Sequence, residues 1–127
     1  MWMLATSRCL AVGHALVLAV VEALLNMSRP SWQYAPLWII DYVIVAALLL
    51  GFWVTRRPGH EPVLMSAWAL AAGVFYMALF VSLDPEVTSG DGADMTILAL
   101  IGAAMAIQVL GFVLAGVAYY RRRRQAA

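Results

Sequence analysis

Lysine is absent from this chain of 127 residues, and charge of either sign is scarce, only 12% of the positions being Asp, Glu or Arg. An ordinary soluble domain carries about 25% charged residues, so the composition excludes a chain whose main solvent is water. Eight arginines with no lysine point to a GC-rich bacterial coding sequence. The single cysteine, Cys9, excludes an intrachain disulfide and any multi-cysteine zinc or iron–sulfur site. Nucleotide-binding, metalloprotease and acyl-transfer motifs are missing. Haem lacks a pair of axial histidines at membrane depth, where only His14 is found. No cofactor, no metal and no nucleic-acid partner is therefore expected.

What the chain has is apolar length: 65% of it is hydrophobic, and its charges are confined to short segments between long runs. A bilayer core about 30 Å thick needs roughly 20 helical residues. Four runs meet that need, at about 9–26, 37–55, 62–83 and 95–120. Backbone groups in lipid must be satisfied within the segment, so the runs are expected as helices. The fold class predicted is all-α, a polytopic membrane protein of one domain with four transmembrane helices in an up-down bundle. The first run has no small-x-small cleavage site after it and is interrupted by Glu22, so it is expected to be retained.

Orientation follows from the arginines. Arg8, Arg56, Arg57 and Arg121 to Arg124 fall on one side of such a bundle, and only Arg29 on the other. The positive-inside rule then puts both termini in the cytoplasm, with the bacterial inner membrane as the expected location. Trp32, Tyr34 and Trp38 suit the outer interface, and Trp2, Trp53, Tyr119 and Tyr120 the inner one. The arginine tail reads as a stop-transfer anchor or a patch for anionic lipid.

Ionisable groups at membrane depth are costly, about 2.5 to 3.5 kcal/mol each on insertion scales, and so mark candidate sites. Glu22 lies about 6 Å below the outer end of the first run, with Asn26 one turn above it. Asp41 lies about 5 Å inside the second run, and Tyr76 about 10 Å inside the third. Glu22, Asn26, Asp41 and Tyr76 form the candidate binding or proton site, in the outer half. His14 and Ser66 belong to the inner half, near Trp68. Eight residues, about 12 Å, separate His14 from Glu22, too far to share a metal ion.

Small residues at Ala11, Ala15, Ala19 and Ala23 repeat every four positions and let another helix approach closely. Ala104, Gln108, Gly111 and Ala115 form a similar face on the fourth run, with Gln108 its one polar member and an inter-helix hydrogen bond its expected role. Either face serves packing within the chain or association with a second copy, so the partners expected are membrane lipids and a homo-oligomer or larger membrane complex. Four spans and a glutamate in the first are shared with small multidrug exporters, but the residue patterns of their later spans are missing here and no family is assigned. Three functions fit the sequence. The first is a non-catalytic membrane module, an accessory subunit or homo-oligomer. The second is a proton-coupled carrier or channel using Glu22, and the third a small enzyme or binder for a lipid-soluble substrate using Glu22 and Asp41.

Overall fold

The structure, a computed structural model, describes residues 2–28, 35–84 and 94–126. Those residues form four helices and, among them, no strand: α1 (Trp2–Ser28), α2 (Ala35–Val54), α3 (Glu61–Leu83) and α4 (Met95–Ala126). Trp32 and Tyr34 of the expected outer belt, together with Arg29, lie outside the described residues. Three of the helices, α1, α3 and α4, are long and apolar enough to cross a membrane, while α2 carries a shorter apolar stretch, Trp38–Val54.

Local chemistry sets the ends. Pro62 sits in the first turn of α3, where its missing N–H breaks no helical bond. Asp94 caps α4, its carboxylate accepting from the backbone N–H of Thr96 at 2.8 Å and of Ile97 at 3.4 Å. The α2–α3 turn needs a left-handed residue and has Gly59 there, at φ 92°. Thr55 closes α2 by donating its hydroxyl back to the Gly51 carbonyl at 2.6 Å.

Both chain ends are helical well beyond the apolar runs. α1 begins at Trp2 instead of near residue 9, and α4 continues past Tyr120 to Ala126. Hydropathy marks only the stretch suited to lipid, whereas a helix persists while its side chains find partners. On α4 those partners are one turn away, with Arg123 over the Tyr119 ring at 5.4 Å and Arg124 over Tyr120 at 4.7 Å.

Each helix packs against two neighbours in a ring: α1 against α2 and α4, and α3 against α2 and α4. Ser7 and His14 of α1 meet Gly111 and Gln108 of α4 in reverse order, so these two helices run antiparallel. Glu61 and Trp68 of α3 likewise meet Arg122 and Gly111. The core is a thin column of Ala11, Ala15, Leu18, Ile44, Leu48, Leu64, Ala67, Trp68, Ala71 and Ala115. Trp68 fills it, lying so close to α4 that a Cβ at Gly111 would overlap its indole.

The small-residue faces are thereby occupied within one chain. Ala11 and Ala15 are buried, Ala19 is half-buried and Ala23 exposed; on α4, Gln108, Gly111 and Ala115 are buried and Ala104 half-buried. A second copy would have to use other surfaces. The outside is apolar on every helix, with Leu16, Leu50, Phe80 and Leu100 all more than half exposed, while Ser7, Thr55, Glu61 and Gln108 are buried. Polar inside and apolar outside is the arrangement expected of helices solvated by lipid.

Candidate functional site: a polar column through the bundle

From one end of the bundle inward, polar side chains meet in sequence between the helices. At the end where the α2–α3 turn lies, the Arg122 guanidinium donates to Glu61 Oε1 at 2.8 Å. Glu61 is only 2% exposed, and its second oxygen, Oε2, has no hydrogen-bond partner among the described residues. A buried carboxylate needs a cation, and among the described residues the overshoot of α4 beyond the apolar run brings one to it.

One layer deeper, Ser7 joins three helices. Its Oγ accepts from the Trp68 indole N–H at 3.1 Å and donates to the Gly111 carbonyl at 2.8 Å. The hydroxyl proton is thus directed at a backbone oxygen, an arrangement that fixes three helices together. A buried tryptophan usually finds an acceptor for its N–H, and here that acceptor comes from the first two turns of α1.

Below it, Gln108 Nε2 lies 3.1 Å from His14 Nε2. An amide N–H donating to that ring nitrogen requires its lone pair, hence an imidazole with its proton on Nδ1. Gln108 Oε1 is buried without a partner. The His14 ring packs between Trp68 and Phe75, with centroids 5.8 and 5.9 Å away. Ser66, the other inner-half residue singled out in the sequence, is exposed on α3, and the partner of His14 comes instead from α4.

Toward the other end, Glu22 of α1 and Asp41 of α2 are both half-buried, on helices that pack against each other. Tyr76 stands on α3, half-exposed, with its ring 4.8 Å from that of Phe80; α1 and α3 face each other across the bundle diagonal. The side chain of Asn26 lies outside the described ones. No group of three or more His, Cys, Asp or Glu side chains suited to a metal ion occurs among the described residues.

Sequence reasoning set Trp68 near His14, as found, but missed Ser7, Glu61 and Arg122. Ser7 precedes the apolar run, yet it stands seven residues before His14 and four before Ala11, on one helix face, and that periodicity is visible in the sequence. Glu61 is the one acidic residue in the α2–α3 turn, on the side that carries seven of the eight arginines, a charge imbalance that signals a pair without saying which arginine supplies it. Comparison of the chain with protein-family models, with curated proteins and with solved structures finds no match.

Proposed function

We propose that this chain is a non-catalytic four-span membrane module of the bacterial inner membrane, with both termini cytoplasmic, acting as an accessory subunit or as a homo-oligomer. The observation that carries the reading is the way the inner-half polar groups consume one another: Ser7 with Trp68 and Gly111, Gln108 with His14, Glu61 with Arg122. Groups bonded in this way hold helices in register, and the two oxygens they leave unbonded, Glu61 Oε2 and Gln108 Oε1, are buried between the helices. The fourth span assigned here is α2, whose 20 residues suffice for a bilayer core of about 30 Å.

A second reading, a proton-coupled carrier, is favoured by one observation: two carboxylates, Glu22 and Asp41, half-buried on adjacent helices within the apolar runs. Proteoliposomes loaded with a pH-sensitive dye separate the two readings. Under an imposed pH gradient and membrane potential, the module leaves the lumen pH unchanged relative to empty vesicles. A proton flux that disappears in Glu22→Gln would replace the module by the carrier.

A further inference from the structure

Two arginines from different helices converge on one aromatic ring. The Arg8 guanidinium carbon lies 4.8 Å from the centre of the Phe52 ring, and that of Arg56 lies 5.2 Å from the same point. The two cations are therefore no further apart than the sum of those distances. Arg56 also lies 4.4 Å from the Trp53 ring. Beside them, Trp53, Val54, Arg56, Arg57 and His60 line a groove of about 290 Å³.

Nothing among the described residues neutralises this cluster. Glu61, the acid nearest to it in sequence, is held by Arg122, and no ion pair joins Arg8, Arg56 or Arg57 to a carboxylate there. Arg8 Nε is buried with no hydrogen-bond acceptor. Aromatic faces hold the guanidinium groups in place but supply no countercharge. Like charges brought together with unused donors fit an oxyanion, and the planar guanidinium fork matches phosphate in particular.

We propose that Arg8, Arg56 and the adjoining groove bind the phosphate of an anionic phospholipid headgroup, with the two arginines closing on it from α1 and from the end of α2. A lipid fits better than free phosphate because the wall that continues from the groove along α2 is apolar and uncovered: Trp53, Leu50 and Leu49 are 64%, 56% and 40% exposed. Acyl chains can lie there while the phosphate sits at the arginines. The tail differs, since Arg123 and Arg124 each cover a separate tyrosine and do not converge. The proposal rests on the membrane reading but not on which way the chain faces.

The test is native mass spectrometry of the purified full chain in mild detergent, titrated with phosphatidylglycerol or phosphatidylcholine. One phosphatidylglycerol should bind about tenfold more tightly than phosphatidylcholine. Arg8→Gln/Arg56→Gln should abolish that preference, whereas Arg123→Gln/Arg124→Gln, which removes the same charge, should keep it. Arg56→Lys retains the charge, loses the fork and should weaken binding severalfold; a melting curve in detergent for each variant shows that it is folded. Equal loss in the tail variant would mean a diffuse positive field, and an unchanged preference in Arg8→Gln/Arg56→Gln would remove the site; either overturns the proposal. Displacement of the lipid by inorganic phosphate at about ten times the lipid concentration would assign the site to a free anion and overturn the lipid. Extraction of the wild-type chain from membranes by alkaline carbonate would instead defeat the membrane reading, a result distinct from loss of lipid preference in a chain that stays embedded.

Discussion

Gly111 shows how much of the packing hangs on a single missing side chain. Its backbone carbonyl accepts from Ser7, and the Trp68 indole occupies the space that a Cβ would need, with Nε1 only 2.7 Å from the Cβ position. Gly111→Ala must therefore displace either the indole or α4, a cost of about 1–3 kcal/mol for an overfilled core. Gly102→Ala, on the same helix but with nothing within 4 Å of the added methyl, should be neutral or stabilising by up to about 1 kcal/mol, since alanine is the better helix former. Thermal melting in detergent compares the two, and equal melting temperatures would mean that Trp68 does not lie against Gly111. Residue type alone predicted part of this geometry. A glutamine near the middle of an apolar helix needs a partner across the bundle, and the histidine of α1 lies at matching depth. Tyr76 is the opposite case: its depth is legible from residue counting, but the face it occupies depends on how α3 rotates to bury Trp68, and that rotation is set by packing which the weak periodicity of α3 does not encode.

At the scale of an element, an ion pair with one buried partner helps to hold α4 beyond the apolar run. The two partners are unequal, Glu61 being 2% exposed at its side chain and Arg122 45%. Arg122→Gln leaves a buried carboxylate without its cation, which costs about 1–3 kcal/mol for the stranded group. Glu61→Gln leaves an arginine that can turn to water and should cost less than about 1 kcal/mol. The double variant should be no worse than Glu61→Gln, because no charge is then stranded. Melting of the three variants checks the order; equal losses for the two single changes would show that the pair contributes nothing specific. Trypsin provides a second measurement, since cleavage at Arg123 and Arg124 should speed up when the tail loses its anchor at Glu61. The extent of α4 was not readable from hydropathy for a physical reason: the apolar run ends at Tyr120, but the helix continues on arginine–tyrosine stacking and the Glu61 contact, neither of which an apolar count registers. The four helices themselves were legible because long apolar runs, bounded by proline, glycine and aspartate, leave little else for a chain to form.

Across the whole molecule the charges are as unevenly placed as the apolar surface is even. Arg8 and Arg56 meet at Phe52, and Arg122 meets Glu61 beside the same turn, so these arginines share one end of the bundle with the chain termini. At the opposite end stand Asp84 and Asp94, which bound the α3–α4 connection. Basic residues in short segments resist translocation, and acidic ones contribute little, so the arginine end is the one expected to stay in the cytoplasm. The bias is large, with seven arginines against Arg29 alone, and reversing it should take more than one substitution. A fluorescent reporter that folds only in the cytoplasm should therefore light up when fused after Ala127, and alkaline phosphatase, active only outside, should be active when inserted at Gly90. Replacing Arg56 and Arg57 by Gln leaves five arginines at that end and should not flip the chain. The same two changes combined with neutralisation of Arg121 to Arg124 leave Arg8 against Arg29, and the reporters should then divide between the two faces. An active phosphatase fused after Ala127 of the unaltered chain would reverse the orientation.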